Sequence, residues 1–396
     1  MTEGARSGGA FWRPGRVRLV LGFVAFANLA MAATLLWALH GPGESGQLMD
    51  FGALWAAGQM AGEGRAADAY DLPAITAVQS EALGRDYERE MAWLYPPFLQ
   101  LALIPFGLLP MLASQALWTG LTLALYLAVC RRILPDPGAL LAALAPATVV
   151  LLAVNGQTGF LVAALGGIAL LGYDEGRAGR GGVALGLLAV KPQVALMLPL
   201  PFLLRGPWRA LGIAAAVVAA LCIAATVVFG VGIWAAFLSG LEIASRDLGR
   251  PEVLDNQATL RAALVTAGAP GALGWAGQGA LALAALGALL HTLRRHPAAA
   301  VAAAAAYASL AISPRVMDYD LLLLVIGGLF QARRIGEAGG PGWERAAMAA
   351  ALLLPLADLL LKLPLNWLAA PLLLATLVAA EGRRAQSGSD TGPSTG

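Results

Sequence analysis

The chain has 396 residues, of which 59% are hydrophobic and only 13% charged, with a mean hydropathy of +0.71. Soluble domains hold roughly 45–50% apolar and about 25% charged residues, so a water-soluble globule is excluded. The formal net charge is +2 and is divided among loops, so no basic surface for nucleic acid is implied. The composition is that of an all-α polytopic membrane protein.

A helical crossing needs about 20 apolar residues, and arginine and lysine collect on the cytoplasmic side. Residues 1–16 carry Arg6, Arg13 and Arg16 and are expected inside. The run Val17 to Leu39 is too long for a signal-peptide core and reads as the first crossing. The interval of about 40–93 follows as a first outer loop, with nine acidic residues and three arginines up to Tyr95. Apolar Phe51, Leu54, Trp55 and Gly58 recur there at helical spacing, as do Leu72, Ile75, Val78 and Leu83, which predicts two amphipathic helices on the membrane surface.

Residues 96–131 offer two apolar pieces, Phe98 to Leu109 and Leu112 to Val129, and charge parity leaves open whether one is re-entrant. Beyond them, arginine pairs mark alternate turns: Arg131-Arg132, Arg177 with Arg180, Arg205 with Arg209, Arg294-Arg295, Arg333-Arg334 and Arg383-Arg384. A second outer loop covers about 230–270. The tally is about twelve crossings in one domain, 1–384, both termini inside, with a disordered cytoplasmic tail over 385–396. The expected location is the inner (plasma) membrane, multi-pass.

Two apolar pieces are too short to cross. Gly182 to Val190 and Val194 to Leu204 amount to about 14–17 Å each at 1.5 Å per residue. Broken segments of this kind are tolerated where they are buried or line a wet cavity. Lys191, at the break, is therefore expected at the bottom of a cavity that opens outward.

Cation identity sharpens this point. Of 26 basic residues only Lys191 and Lys362 are lysines, both placed outside, and Arg261 and Arg315 are among the few arginines placed there too. A cation in a low-dielectric pocket stabilises a phosphate far better than it would in water. Snorkelling to a lipid headgroup is the plainer role for such arginines. Cys130 and Cys222 lie far apart in apolar segments, and His40, His291 and His296 have no metal-ligand spacing, so neither a disulfide nor a protein-built metal centre is expected.

Asp50 is the strongest catalytic candidate. A carboxylate shortly beyond the first crossing lies at the membrane–water boundary, where it stays ionised yet faces a shielded pocket. Its plainer role would be to cap the helix that begins at Phe51. Tyr95-Pro96-Pro97 could equally be a helix entry, and Asn155, Gln157 and Gln193 could satisfy backbone groups at helix ends.

The succession Asp50, Trp55-Ala56-Ala57-Gly58, Tyr70-Asp71, Tyr95-Pro96-Pro97, Asn155-Gly156-Gln157, Lys191-Pro192-Gln193, Asn256-Gln257 and Ser313-Pro314 to Tyr319-Asp320 resembles the glycosyltransferase 87 family. The likeness covers about residues 15–335. It implies the C-type glycosyltransferase fold and transfer of a single sugar from a polyprenyl-phosphate donor to a lipid- or glycan-linked acceptor hydroxyl, on the extracytoplasmic face and with no cofactor. Asp50 occupies the position of the family's catalytic carboxylate and would be the general base of an inverting displacement. Lys191, Arg315 and Arg261 would meet the donor phosphate. Tyr95, Asn155, Gln157, Gln193, Asn256, Gln257, Asp318, Tyr319 and Asp320 would contact sugar or acceptor.

Mannose is one donor sugar the resemblance suggests, but Tyr319-Asp320 stand where mannosyltransferases of the family often carry a histidine pair. The rival class is a transporter or flippase of lipid-linked or small sugars, which also uses broken helices.

Overall fold

The computed structural model describes residues 15–40, 50–83, 91–247, 251–361 and 364–389. In chain order the helices are α1 (Gly15–His40), α2 (Phe51–Gly62), α3 (Leu72–Leu83), α4 (Pro97–Gly107), α5 (Met111–Ile133), α6 (Pro137–Leu144) and α7 (Thr148–Asn155). There follow α8 (Gly159–Asp174), α9 (Ala178–Leu187), α10 (Leu200–Arg205), α11 (Arg209–Phe229), α12 (Ile233–Asp247), α13 (Pro251–Leu254) and α14 (Leu260–Thr266). The last are α15 (Gly271–Arg295), α16 (Ala298–Ile312), α17 (Leu322–Ala338), α18 (Gly342–Leu361) and α19 (Ala369–Ser389). Lys362 and the predicted tail beyond Ser389 lie outside the described residues.

Among the described residues, four helices are long and apolar enough to cross a membrane: α1, α5, α11 and α15. A fifth span arises if α6 and α7, bent by 68° at a short break, count as one. The bend is held from α1, where Asn28 Nδ2 donates to the carbonyls of Leu144 (3.1 Å), Ala145 (2.8 Å) and Pro146 (3.3 Å). Carbonyls released at a kink have no water to turn to inside a bilayer, so a buried amide supplies the partner.

The break expected at Lys191 is present. Helix α9 ends in a short 3-10 turn, Leu188–Val190, and the chain runs through turns until α10 begins at Leu200. The 96–131 region resolves into α4, of 11 residues, and α5, of 23.

The two helices expected to lie on the membrane surface behave differently. Helix α3 buries Ile75, Val78 and Gln79 and exposes much of the rest, as an amphipathic helix should. Helix α2 is instead enclosed, with only Gln59 and Gly62 outside the buried set between Phe51 and Gly62. It lacks the exposed polar face of an amphipathic surface helix, because α4 packs against it backbone to backbone. A Cβ on Gly58 would stand 2.4 Å from the Leu103 carbonyl oxygen, and one on Gly107 2.1 Å from the Gln59 nitrogen.

The centre of the bundle is α16, whose residues Ala299 to Ala311 are all buried. Alanine side chains let α8, α15, α17 and α19 close in around it, since helices packed through small residues approach nearest. Its Tyr307 fills the space that Gly327 of α17 leaves open.

The arginine-marked turns gather at one end of the bundle. Arg132 and Arg180 meet Glu175 at 2.8 and 2.6 Å, and Arg333 meets Asp174 at 2.6 Å. Beside them lies a buried knot in which Arg334 pairs with both Glu344 and Glu381, and His296 Nδ1 lies 3.1 Å from Glu381. Arg205 donates to the His296 carbonyl at 2.7 Å, which ties the α9–α10 unit into the same end. The turns read as cytoplasmic from their arginines therefore contact one another.

Candidate active site

A second set of chain breaks supplies the candidate site. The first is the end of α7. Gly156 follows Asn155 with φ +65°, the left-handed turn that closes a helix. A Cβ at Gly156 would lie 2.7 Å from the Cβ of Phe51, so the missing side chain admits the start of α2 to this spot. Asp50, immediately before Phe51, is thereby carried next to Asn155. Gln115 Nε2 secures the same corner by donating to the Val154 carbonyl at 2.6 Å.

Asp50 makes no side-chain capping bond to α2, so the plain role as a helix cap is not the one it has. It lines a cavity of about 310 Å³ together with Ala147, Leu151, Asn155, Asn256, Met317, Asp318, Tyr319, Pro355 and Asn366. That volume falls in the roughly 300–1,000 Å³ range of small-molecule sites. Ala147, Leu151, Met317 and Pro355 supply its apolar lining, and two carboxylates, three amides and a phenol supply its polar lining.

Part of the polar lining is built by two stretches of chain held in register. Ala258 N donates to the Val316 carbonyl at 2.8 Å and Asp318 N to the Asn256 carbonyl at 3.3 Å, around the Gln257–Met317 bridge. This ladder sets Asn256 beside Asp318. Gln278 of α15 supports it by donating to the carbonyls of Ala311 and Ser313 at 3.0 and 3.1 Å.

Beneath the cavity floor lies Lys191. Its ammonium is 2.6 Å from Asp320 Oδ1, with side chains 5% and 0% exposed, and it sits 4.5 Å from the centroid of the Tyr319 ring. Asp320 also accepts from Met317 N at 3.1 Å. The buried ion pair thus clamps both ends of the segment whose Asp318 and Tyr319 face the cavity. Lys191 itself is not part of the lining, which departs from the expectation of an ammonium open to the hollow.

Tyr95 joins the assembly from the side, where its hydroxyl donates to Gln157 Oε1 at 2.9 Å and lies 3.0 Å from Thr158 Oγ1. Pro97 opens α4, so the Tyr-Pro-Pro motif is both a helix entry and a polar link. Burial holds the Tyr95 phenol above its ordinary range; Lys191 opposes this, and the negative charges of Asp320 and Asp50 add to it. Tyr319 is raised by burial first, then by Tyr95, Asp320 and Asp50, while Arg315 pulls it down. Asp50, Asp320, Tyr95, Tyr319 and Arg315 therefore share one electrostatic neighbourhood.

Of the sequence candidates, the cavity unites Asp50, Asn155, Asn256, Asp318 and Tyr319. Tyr95, Gln157, Lys191 and Asp320 hold its walls, and Arg315 lies within electrostatic reach. Gln257 is buried, and neither amide atom finds a hydrogen-bond partner among the described residues. Gln193 is half-buried and outside the lining, and Arg261 is buried against the Trp275 ring at 4.4 Å. Asn366 escaped the sequence reading. Its signal was a polar residue in the short break between two late apolar runs, the same signature that exposed Asn155 and Lys191.

The fold and the site together define a helical membrane protein with a carboxylate-lined cavity at one end of its bundle. The chain belongs to glycosyltransferase family 87, whose family model matches residues 93–314, more than half of its length. It is accordingly a glycosyltransferase, which decides between the transferase and the transporter. No curated protein and no solved structure matches it. The matched stretch holds Tyr95, Asn155, Gln157, Lys191, Asn256 and Gln257, while Asp50, Asp318 and Asn366 lie outside it.

Proposed function

We propose that the protein moves a single sugar from a polyprenyl-phosphate donor to a hydroxyl of a lipid- or glycan-linked acceptor, with inversion at the anomeric carbon and Asp50 as general base. The observation that carries this reading is Asp50 in a cavity lined by both apolar and polar side chains. The apolar lining suits an isoprenoid and the polar lining a sugar.

In the step itself the acceptor oxygen bonds to the anomeric carbon as the bond from that carbon to the phosphate oxygen breaks. Asp50 takes the acceptor proton and the lipid phosphate leaves as the anion. A proton transfer of this kind contributes about 10²–10⁴ in rate. The growing negative charge on the leaving phosphate requires a fixed cation nearby. Arg315, within electrostatic reach of Tyr319, is the candidate for it. Lys191, already matched by Asp320, acts by holding Tyr319 and Asp318 in position.

The C-type fold, about twelve crossings and an inner (plasma) membrane location with the site on the extracytoplasmic side belong to this reading. The arginine-rich end would then face the cytoplasm, as cation placement requires. Mannose stays one candidate for the donor sugar.

The test uses purified full-length protein in lipid nanodiscs with a polyprenyl-phosphate monosaccharide. Asp50→Asn should fold and bind donor like the parent while transfer falls about 10²–10⁴-fold. Turnover at the parental rate removes Asp50 as the base.

A further inference from the structure

Asn366 lies between α18 and α19, 48 residues along the chain from Asp318, and is 4% exposed. Its Nδ2 donates to Asp318 Oδ1 at 2.8 Å, and both side chains line the Asp50 cavity. We infer that Asn366 is a specificity-determining residue: with Asp318 it forms a carboxylate–amide pair that reads the hydroxyls of the sugar being transferred. This rests on the transferase reading above and adds the element that selects the donor.

The chemistry of the two side chains is suited to a polyol. A carboxylate only accepts hydrogen bonds and an amide does both, so neighbouring sugar hydroxyls, each donor and acceptor, can be met in a single arrangement. Positions are fixed on both sides. The Asp318 backbone is pinned by Asn256 and the Gln257–Met317 bridge, and Asn366 begins the 3-10 turn Asn366–Leu368. Ala147, Leu151 and Pro355 in the lining offer no side-chain polar atoms, so discrimination among hydroxyls falls to the polar lining residues, of which Asp318 and Asn366 are bonded to each other.

Asp50 lines the same cavity as Asp318 and Asn366, so a sugar whose anomeric carbon receives the oxygen deprotonated by Asp50 is held within reach of the pair.

A pocket built to bond a particular hydroxyl rejects the analogue lacking it by about 10⁴-fold. The experiment measures kcat/KM in nanodiscs for polyprenyl-phosphate hexoses that differ at C2 or C4, and for a deoxy analogue. Asn366→Ala should compress the ratio between the preferred donor and its poorest epimer by at least tenfold, about 1.4 kcal/mol. Asn366→Ser, which keeps a donor group, should restore part of it. Asp318→Asn keeps the local shape and should compress the same ratio, which covers the case in which Asn366→Ala does not fold.

An equal fall for every donor, or a change confined to acceptor preference, overturns the assignment. Asp50→Asn, run in parallel, separates the two levels. If it is inactive while Asn366→Ala keeps the parental ratio, the specificity role alone fails. If it turns over normally, the general-base reading fails first. Absence of both transfer and binding with every donor overturns both.

Discussion

The Cβ that Gly156 lacks would stand 2.7 Å from the Cβ of Phe51, and this contact joins the end of α7 to the start of α2. It is what brings Asp50 into the cavity. The left-handed φ of +65° adds a second demand for glycine at the same residue.

Gly156→Ala should therefore lower the thermal midpoint and transfer together, with a stability cost of about 1–3 kcal/mol from overpacking plus about 1 kcal/mol from the backbone. Gly176→Ala is the control, because Gly176 has φ +66° with open space around its Cβ position. Differential scanning fluorimetry and a transfer assay on both variants separate the two terms. Equal losses in the two would show that the approach of α2 to α7 has no part in activity.

Lys191 and Asp320 bury a matched pair of charges beneath Tyr319. Removing one partner strands the other, which costs about 3–5 kcal/mol, whereas replacing both by apolar groups is often close to neutral. Lys191→Met should destabilise strongly, and Lys191→Met with Asp320→Leu should recover most of the loss in thermal unfolding. Donor affinity should stay low in the double variant, since nothing then clamps the Tyr319 segment. Full recovery of affinity would show that the clamp is dispensable.

At the opposite end of the bundle, Arg334 answers two buried carboxylates, Glu344 and Glu381. Arg334→Gln should cost about 3–5 kcal/mol by removing the guanidinium the two share, since Glu344 then keeps only Gln331 and Glu381 only His296 and Arg384. The protein that survives should transfer sugar at close to the parental rate, because the cavity is built from other turns. Thermal melting beside a transfer assay checks both halves of the statement.

His296 gives a pH dependence with a defined sign. Burial lowers its pKa below the ordinary 6.5, against a raising influence of Glu381 and with further lowering by His291 and Arg334. The unfolded chain then takes up the proton first, so stability falls as pH drops through about 6.5. His296→Gln should flatten that part of the curve. A melting temperature that rises on acidification across the same window would mean that Glu381 prevails over burial.

Cation placement made much of this architecture legible beforehand, because arginine sorts by membrane side. That is why the turns bearing Arg132, Arg180, Arg205, Arg333 and Arg384 could be grouped before any of them was seen to touch. The Lys191 break was readable from segment length alone. Helix α2 is more enclosed than its sequence suggests, since the spacing of Phe51, Leu54, Trp55 and Gly58 describes one apolar face and is silent on whether α4 covers the other. Periodicity cannot report that Gly58 and Gly107 sit opposite each other 49 residues apart in sequence.

The site was partly legible for a related reason. Asp50, Asn155, Asn256 and Asp318 are polar residues at breaks in apolar runs, and such breaks converge at the ends of a bundle. Lys191 shared that signature, yet its partner Asp320 is 129 residues away and drew the ammonium off the cavity. Pairing between distant breaks is fixed by packing, which no local pattern encodes. Asn366 is hard to pick out in the sequence because its break between two late apolar runs is short.

Asn28 gives the amino-terminal helix a duty beyond tethering the chain to the bilayer. Its amide is the partner of three carbonyls at the α6–α7 bend, and α7 supplies Ala147, Leu151 and Asn155 to the cavity. Exchanging this segment for a generic hydrophobic anchor, as expression engineering often does, would keep insertion yet deprive the elbow of its brace. The cavity proposed to hold the sugar would then lose its shape through a residue that does not line it.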